Sequence, residues 1–404
     1  MKIVILSNTD SGGGAAIAAR RLNDALNARG TKSKMLVVNK TTSSDKVEQA
    51  EGGLFLKGRT YMEYVFQRRF LLKDKSIAMF STNKVGVDVS NHYLVQEADV
   101  INIHWINFGF LSLNDIQKLY ALKKPIIWTL HDMWMFTGGC HYSGDCRKYE
   151  QDCDVCPMLN FDGVAHQIWL KKKEIFSGNN LNVITPSNWL GEICKTASLT
   201  KSAKVQSIPN TLNTELFKPF SKSEACEKLG LDPNKKYLLF SAANPNDVRK
   251  GFVYFVEAIK VVKEQYEGVE LIVMGKEQKE FENLPLKLNY VGFVKSEEQA
   301  AVVYNAASVF VIPSLEDNLP NTILEALSCG TPSVGFAIGG IKEMIETGVN
   351  GYLAKAKDAK DLAKGIIEML ENPNPESTRN SALQRYSNSI IVEKHLEFFK
   401  SIIQ

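Results

Sequence analysis

The sequence alternates between short apolar runs and amphipathic, helix-like stretches, and it does so in two successive series. The runs of the first series are "KIVIL", "KSKMLVV", "ADVINIHW", "PIIWTLHD" and "NVITPS". Those of the second series are "KYLLFSAA", "ELIVMG", "NYVGFV", "VFVIPS" and "PSVGFA". An order of strand, helix and strand is typical of a parallel sheet with helices on its faces. The sequence therefore predicts an α/β protein with two Rossmann-like, doubly wound domains.

The length of the chain agrees with two domains, because 404 residues exceed the usual size of one. The stretch "VQSIPNTLNTELFKPFS" lies between the two series and predicts the link. We expect a first domain over residues 1–208 and a second over 209–385, with a C-terminal helix over about 386–404 that packs back on the first. Residues 52–92 interrupt the first series, and their aromatic and basic segment "LFLKGRTYMEYVFQRRFLLKDK" predicts an inserted amphipathic helix.

Charge and hydropathy argue against several classes of protein. A net charge of +3 is too small to indicate a nucleic-acid partner. The segment "MKIVILSNTD" has too short an apolar core for a signal peptide, and no run approaches the ~18 apolar residues of a membrane span. We therefore expect a cytoplasmic protein, in which the seven cysteines are thiols or metal ligands before they are disulfides.

Three consecutive glycines, Gly12, Gly13 and Gly14, follow the first predicted strand and open the first predicted helix. Backbone N–H groups in such a loop can approach a phosphate, which the helix dipole also favours. The dinucleotide-binding pattern fails because Ile17 stands where its third glycine belongs, and the P-loop pattern lacks its Lys-Ser/Thr. The loop is either a phosphate-binding element or a tight strand–helix turn, and three glycines exceed what a turn requires.

Two carboxylates, Asp317 and Glu325, flank the start of a predicted helix in "SLEDNLPNTILEALSCGTP". Pro320 suits the first helical turn, and Gly330 with Pro332 suits the helix end. Glu325 would then lie ~8 Å along the helix axis, whereas Asp317 would precede the first turn. Carboxylates so placed can bind hydroxyls at the two ends of a long polar ligand, with the helix N-terminus near a diphosphate, and a nucleotide sugar has this layout. The alternative is a dipole-stabilising Asp and a structural Glu.

This segment resembles the E-x7-E motif of the retaining glycosyltransferases of family 4. Asp317 replaces the first Glu of that motif, with Glu316 beside it, and Asn-Leu-Pro replaces its Gly-Phe-Gly. The segments "ITPSNWL", "IPNTLNTELFKP" and "GFAIGGIKEMIETGVNGYL" resemble further elements of the family in the same order, so the likeness extends over nearly the whole chain. It implies the GT-B fold, in which two Rossmann-like domains face each other across a cleft, and a role of the bacterial capsule or exopolysaccharide-biosynthesis type.

The resemblance assigns roles to individual residues. It implies that Glu325 binds the ribose hydroxyls of the donor and that Asp317 binds hydroxyls of the donor sugar. The other donor-binding residues that it implies are Asn318, Leu319, Asn321 and Thr322. From their own loop pattern, Gly12, Gly13 and Gly14 join them as predicted phosphate contacts. The family also neutralises the diphosphate with an Arg and a following Lys; Lys250 fits the Lys, whereas only the adjacent Arg249 is available for the Arg. Both cations would stabilise the leaving group, and a solvated pair of loop residues is the alternative.

Two histidines, His104 in "NIHWIN" and His131 in "WTLHDMW", end neighbouring predicted strands. Ligands of open α/β sheets bind at the carboxyl ends of the strands. The resemblance makes His131 a polar contact at the reacting centre. Their position at the strand ends makes His104 and Asp132 candidates on the acceptor side, with Asp132 either orienting His131 or lying outside the site. A structural role is the alternative for each histidine. Because the leaving phosphate helps to deprotonate the acceptor in such enzymes, we expect no essential general base and no catalytic metal.

A cysteine cluster, "CHYSGDCRKYEQDCDVC", contains Cys140, Cys146, Cys153 and Cys156. Four thiolates make a closed tetrahedral zinc site, and the final C-x2-C is typical of one, although the first pair has a looser spacing. His141 is an alternative ligand in place of one cysteine. Such zinc would be structural, because four protein ligands leave no position for a substrate. Two disulfides and free thiols are the alternatives.

The sequence thus predicts a glycosyltransferase that moves a sugar from a nucleoside-diphosphate sugar to a glycan or lipid-linked acceptor, with retention, in cell-surface polysaccharide biosynthesis. Two other functions stay open, a GT-B epimerase that acts on the nucleotide sugar itself and a non-catalytic nucleotide-sugar-binding protein. The aromatic and basic residues 57–73 favour an interfacial helix on an anionic membrane surface, which suggests a peripheral position at the inner face of the membrane. A helix that packs on the first domain with its charges in water is the alternative.

Overall fold

The computed structural model describes residues 1–51, 53–74, 79–241, 246–275 and 278–403. The chain divides into two compact units. The first unit comprises Met1–Thr211 together with the C-terminal residues from Ile391 onward, and the second unit comprises Leu212–Ile390. Each unit contains its own parallel β-sheet with helices packed against it.

Seven strands form the sheet in the described part of the first unit. They are β1 (Lys2–Thr9), β2 (Lys32–Asn39), β3 (Val47–Gln49), β4 (Val100–Ile103), β5 (Ile126–Thr129), β6 (Asn182–Thr185) and β7 (Lys204–Ser207). All pairings are parallel, and the order across the sheet is β3-β2-β1-β4-β5-β6-β7. The helices of this unit before the link are α1 (Gly14–Ala28), α2 (Gly53–Phe66), α3 (Tyr93–Glu97), α4 (Leu113–Ala121), α5 (Val164–Phe176) and α6 (Asn188–Thr196).

Six parallel strands form the sheet in the described part of the second unit. The helices and strands in chain order are α7 (Lys222–Leu229), β8 (Lys236–Ser241), α8 (Phe252–Gln265), β9 (Val269–Met274), β10 (Leu288–Gly292), α9 (Glu297–Ala306), β11 (Val309–Ile312), α10 (Asn321–Ser328), β12 (Ser333–Phe336), α11 (Ile341–Met344), β13 (Gly351–Ala354), α12 (Ala359–Glu371) and α13 (Pro375–Tyr386). The order across the sheet is β10-β9-β8-β11-β12-β13.

The last helix, α14 (Asn388–Ile403), begins at the end of the second unit and packs on the first. Its buried residues Ile391, Val392, Phe398 and Phe399 share an apolar cluster with side chains of β1, β2 and α1. The burial of large aliphatic and aromatic side chains accounts for the attachment of this helix to the first sheet.

Apolar side chains cover both faces of each sheet, which explains why the central strands read as continuous apolar runs. Every residue of β4, β5, β6 and β11 is buried. Successive residues of β1 enter different clusters: Ile3 and Ile5 pack with α1 and α14, whereas Val4 and Leu6 pack on the opposite face. The prediction of an α/β protein with two doubly wound parallel sheets is confirmed.

Two edge strands, β3 and β7, do not have the continuous apolar pattern of the central strands. Residues of β7 alternate between exposed and half-buried, because an edge strand has a sheet neighbour on one side only. The first residues of the predicted link, 205–207, therefore belong to β7, and this part of the link prediction is wrong.

The predicted insertion of the first unit is helical. Helix α2 continues into a π-helical turn, Gln67–Leu71. The buried side chains Leu56, Leu71 and Leu72 attach this insertion to the core of the unit. Lys75, the last residue of the predicted helical segment, lies outside the described residues. Within the part of the chain that the structure describes, every helix is too short or too polar to cross a lipid bilayer.

Candidate active site

Three loops of the second unit contain most of the residues predicted to bind a donor. A 3-10 turn, Val248–Lys250, lies between β8 and α8. The loop 313–320 follows β11, and the loop 337–340 follows β12. Because β8, β11 and β12 are adjacent parallel strands, the loops that follow their carboxyl ends meet at one edge of the sheet, where ligands of such sheets bind.

Backbone hydrogen bonds join the three loops directly. The N–H of Leu315 donates to the carbonyl oxygen of Arg249 at 2.7 Å. The N–H of Gly340 donates to the carbonyl oxygen of Asp317 at 3.1 Å. Main-chain contacts therefore hold the loop 313–320, which leads into the helix with the second predicted carboxylate, on both sides. The side chains of this loop project from a backbone whose position is fixed.

Two glycines allow this close approach of the loops. Gly251 has φ +63°, and a Cβ atom there would lie 1.9 Å from the carbonyl oxygen of Pro313. Gly339 has φ +51°, and a Cβ atom there would lie 2.2 Å from the carbonyl oxygen of Asp317. Both positions require glycine for conformation and for space. The Lys-Gly and Gly-Gly pairs in the sequence thus have a structural reason, which is to let the three loops touch.

The structure brings together Lys250 and Asp317, which stand 67 residues apart in the sequence. The Nζ atom of Lys250 donates to Oδ2 of Asp317 at 2.8 Å. The lysine side chain is 34% exposed and the carboxylate side chain 13% exposed, so a ligand can reach the pair. The predicted diphosphate cation and the predicted sugar-binding carboxylate are therefore immediate neighbours.

Arg249 points to a different partner. Its guanidinium donates to both carboxylate oxygens of Asp247, through Nε to Oδ1 at 3.2 Å and through Nη2 to Oδ2 at 2.6 Å. This fork-like pair orients the arginine beside the loop. The role of Arg249 in diphosphate binding stays a prediction, and in this structure its side chain is engaged by a carboxylate from the same turn.

Glu325 lies inside α10 with only 7% of its surface exposed. The hydroxyl of Tyr304, a buried residue of α9, donates to Oε2 of Glu325 at 2.8 Å. Pro320 is the N-cap, so the helix begins one residue later than predicted, and Glu325 lies about 6 Å along the axis from Asn321. The hydrogen bond from Tyr304 is compatible with a structural carboxylate and equally with one that is held in place for a ligand.

The residues between the two carboxylates are largely buried. Asn318, Leu319 and Asn321 are each less than a tenth exposed, and Thr322 is half-buried. The N–H of Asn318 donates to Oδ1 of Asp317 at 3.1 Å, which orients that carboxylate from its own loop. Donor binding by these four residues stays a prediction.

In the first unit, the glycine loop opens α1 at the carboxyl end of β1. Gly12 has φ +82°, so the turn itself requires glycine there. Gly13 is extended and would tolerate a side chain conformationally, and a Cβ atom on either residue would meet nothing within 4 Å. Gly14 is exposed and is the first residue of the helix. The conformation of the turn thus explains why residue 12 is glycine, but not why residue 13 is. Open space lies over Gly13, and phosphate contact there stays a prediction.

The two predicted histidines contact each other at the ends of β4 and β5. Nδ1 of His104 and Nε2 of His131 are 2.9 Å apart and share a hydrogen bond. Burial lowers the pKa of His131 to about 4, although the charge of Asp132 opposes this shift. Burial together with the neighbouring His131 lowers the pKa of His104 well below its usual value. Both imidazoles are therefore neutral at neutral pH.

Asp132 holds His141 and Trp105 by hydrogen bonds, and its orientation of His131 stays a prediction. Its Oδ2 accepts from Nδ1 of His141 at 2.6 Å and from Nε1 of Trp105 at 3.1 Å. Burial raises the pKa of Asp132, but the charge and hydrogen bond of His141 more than offset this, so the pKa lies below its usual value. The other ring nitrogen of His141 lies 2.8 Å from Oγ of Ser81.

This buried chain of Ser81, His141 and Asp132 overturns one prediction and adds residues that the sequence did not indicate. Both ring nitrogens of His141 are engaged, so His141 is not available as the alternative zinc ligand. Trp105 was not predicted as part of the site, and His141 was predicted only as an alternative zinc ligand, because neither belongs to a recognisable motif. The only signal for Trp105 is that it directly follows His104 at a strand end.

The four clustered cysteines, Cys140, Cys146, Cys153 and Cys156, line one small cavity of the first unit as free thiols. Among the described residues, the side chains do not yet form a group of three or more His, Cys, Asp or Glu placed to hold a metal ion. Structural zinc therefore stays a prediction, which requires the thiols to turn toward one another.

We expect about one zinc per chain on metal analysis of the reduced protein; no zinc and four alkylatable thiols would contradict it.

Comparison with known proteins places these observations in a wider group. Residues 235–372 match the family described as glycosyl transferases group 1, a span that contains Lys250, Asp317 and Glu325. An uncharacterized glycosyltransferase of Haemophilus influenzae is 22% identical over 351 residues, which are 80% of this chain and 96% of that protein. The putative colanic acid biosynthesis glycosyl transferase WcaC of Escherichia coli K12 is 21% identical over 337 residues, which are 75% of this chain and 76% of WcaC.

Solved structures share the fold over the whole chain. Sucrose-phosphate synthase from Thermosynechococcus elongatus aligns with a TM-score of 0.67 at 18% identity, over 100% of this chain and 99% of that one. HepE from Anabaena, solved in complex with UDP-glucose, aligns with a TM-score of 0.65 at 16% identity, over 99% of this chain and 100% of that one. The chain therefore has the α/β fold of GT-B proteins, with two Rossmann-like domains.

Proposed function

We propose that this protein is a glycosyltransferase that takes a sugar from a nucleoside-diphosphate sugar and transfers it, with retention of configuration, to a glycan or lipid-linked acceptor. The observation that carries the proposal is the ion pair between Lys250 and Asp317. The pair lies at the carboxyl ends of the strands and within the span that matches the glycosyl transferases group 1. A cation and a carboxylate so placed suit a ligand that has a diphosphate next to a sugar.

The side chains of the second unit divide the donor between them. Lys250 would bind the diphosphate and stabilise its charge as it leaves, while Asp317 would accept hydrogen bonds from the sugar hydroxyls. Glu325, further along α10, would accept hydrogen bonds from the ribose hydroxyls. The description of HepE as a complex with UDP-glucose supports a donor of this chemical class for a chain of the same fold.

The histidine pair suits hydrogen bonding better than proton transfer. A general base works best with a pKa near the working pH, and burial lowers the pKa of His131 to about 4. His131 would therefore act as a neutral polar contact, and the leaving phosphate would take the acceptor proton. This assignment agrees with a retaining mechanism in which no protein base is essential, and with chemistry that needs no metal ion.

The name of WcaC supports a setting in cell-surface polysaccharide synthesis, because that relative is described by colanic acid biosynthesis. Acceptors in such synthesis are glycans or lipid-linked sugars, which are found at a membrane surface. We therefore propose a peripheral position at the inner face of the membrane, and the first unit has a surface that fits such a position.

The surface is the helical insertion of the first unit, residues 57–73. Its apolar side chains Tyr61, Met62, Phe66 and Phe70 are each more than half exposed. The exposed cations of the same segment are Lys57, Arg59, Arg68, Arg69 and Lys73. Aromatic and basic side chains on one exposed helix are typical of binding to an anionic lipid interface. The buried leucines of this insertion pack it against the first unit, whereas its aromatic and basic side chains are exposed. The insertion is therefore packed on one side, as the first-domain alternative requires, and exposed on the other, as the membrane alternative requires.

We expect the protein to co-sediment with vesicles that contain phosphatidylglycerol and the variant Arg68→Glu/Arg69→Glu to bind at least tenfold more weakly, since each cation at such a surface contributes about 1 kcal/mol. Lys32→Glu/Lys201→Glu is the matched control, because it changes the net charge of the same unit equally at exposed positions elsewhere. Wild-type protein that stays in solution at low salt would contradict the proposal and favour a soluble acceptor.

The decisive test of the function is incubation with a panel of nucleoside-diphosphate sugars, with and without methyl glycosides as acceptors. Hydrolysis or transfer supports the glycosyltransferase, and NMR of the product then shows whether the anomeric configuration is retained. Isomerisation of the nucleotide sugar supports the epimerase alternative, and binding without turnover supports the non-catalytic one. If the protein neither binds nor turns over any nucleotide sugar of the panel, the proposed function is wrong.

A further inference from the structure

Three aromatic side chains form a continuous wall beside the buried His141 of the first unit. The wall consists of Tyr64 from α2 and of Trp105 and Phe108 from the loop after β4. Ring centroids of Trp105 and Phe108 are 5.3 Å apart, and those of Tyr64 and Phe108 are 6.4 Å apart. Tyr64 is 39% exposed and the other two rings are partly exposed, so solvent-facing aromatic surface lies beside His141.

Phe108 has an unusual backbone conformation. Its φ of +57° lies in the left-handed region, which bulky side chains avoid and which clusters at functional sites when it does occur. The side-chain Nδ2 of Asn8 donates to the carbonyl oxygens of Asn107 at 2.7 Å and of Phe108 at 3.1 Å. The next residue, Gly109, packs so closely that a Cβ atom would lie 2.1 Å from Thr60. Contacts from β1 and α2 therefore fix the loop.

Trp105 is fixed as well, by a polar contact at the edge of its ring. Its Nε1 donates to Asp132, whose carboxylate is itself held by His141. The buried chain of Ser81, His141 and Asp132 thus holds the tryptophan of the wall in one orientation.

We infer that this wall binds a pyranose ring of the acceptor, an inference that rests on the proposed function. The C–H face of a pyranose carries small positive charges and fits the electron-rich face of an aromatic ring. The hydroxyls of the same sugar need polar partners at the rim, and the half-buried carboxylate of Glu63 lines a small cavity together with Tyr64 and Phe108. Aromatic faces with a polar rim suit a carbohydrate better than a purely apolar ligand.

The test uses saturation-transfer NMR with methyl glucoside, methyl galactoside, methyl mannoside and methyl N-acetylglucosaminide. We expect at least one pyranoside to bind wild-type protein through its ring C–H groups. Phe108→Asn removes the ring and keeps a residue type that tolerates positive φ, so we expect it to fold and to lose this binding. Phe108→Tyr is expected to retain it. Phe161→Asn, at an exposed phenylalanine of the same unit outside the wall, is the matched control.

Kinetics separates this inference from the proposed function. In Phe108→Asn, we expect acceptor-dependent kcat/KM to fall about tenfold, while donor hydrolysis and nucleoside-diphosphate affinity stay unchanged. Equal pyranoside binding by wild type and Phe108→Asn, or no binding to wild type, would overturn the wall as a sugar site. Failure of the proposed function would instead show as the absence of any donor turnover or nucleotide binding in wild type.

Discussion

Lys250→Met is expected to lower the turnover number for sugar transfer by about 10²- to 10³-fold, the size of effect that follows loss of one preorganised charge at a reacting centre. Methionine keeps the apolar stem of the side chain and removes the ammonium group, which would otherwise stabilise the leaving diphosphate. Steady-state kinetics with the donor that the panel identifies measures this. Lys260→Met, at an exposed position of α8, is the matched control and is expected to change the rate by less than about twofold.

The ion pair with Asp317 makes this prediction sharper. Removal of Lys250 leaves the Asp317 carboxylate, which is 13% exposed, without its cation and next to the site of an incoming diphosphate. We therefore expect Lys250→Met to weaken nucleoside-diphosphate binding, and Asp317→Asn in the same chain to restore part of that affinity without restoring turnover. Additive losses in the double variant, or a Lys250→Met enzyme as active as the control, would show that the two residues are a solvated loop pair.

The sequence predicts the order of strands well because burial of a parallel sheet on both faces leaves continuous apolar runs. The order across the sheet, which the apolar runs do not predict, decides which loops come together: the loops after β8, β11 and β12 meet because these strands are adjacent. Edge strands such as β7 escape this reasoning, because half of their residues face solvent. The glycines at 251 and 339 could be noticed in the sequence, but their reason, an approach to Pro313 and Asp317, depends on contacts between distant segments.

The hydrogen-bond partners of side chains are harder to predict from the sequence than the strands are. Asp132 stands beside His131 in the sequence, yet its carboxylate accepts hydrogen bonds from Trp105, Trp134 and His141. Adjacent residues at a strand end point in different directions, so proximity in the chain does not decide which side chains meet. The left-handed backbone of Phe108 has no sequence signal either, because phenylalanine is a residue type that would not be expected there.

Glu325→Gln is expected to weaken binding of the nucleoside diphosphate by roughly 10- to 100-fold, because hydrogen bonds to a charged group contribute about 1.5–3 kcal/mol and 1.4 kcal/mol is a factor of ten. Glutamine preserves the size of the buried side chain and removes its charge. Calorimetry with the nucleoside diphosphate measures the affinity. Tyr304→Phe is the matched control, because it removes the structural hydrogen bond to the same carboxylate and leaves both oxygens as acceptors.

The ribose assignment for Glu325 can be tested by changing the ligand together with the protein. If the carboxylate of Glu325 accepts hydrogen bonds from the ribose hydroxyls, wild-type protein should prefer the nucleoside diphosphate over its 2′-deoxy analogue, and Glu325→Gln should lose most of that preference. Tyr304→Phe should keep the preference, although we expect urea unfolding to show a loss of about 1–3 kcal/mol in stability, since a buried carboxylate then lacks one donor. A structural Glu325 gives the opposite pattern: Glu325→Gln would lower stability, and both variants would discriminate between ribose and deoxyribose as well as wild type does.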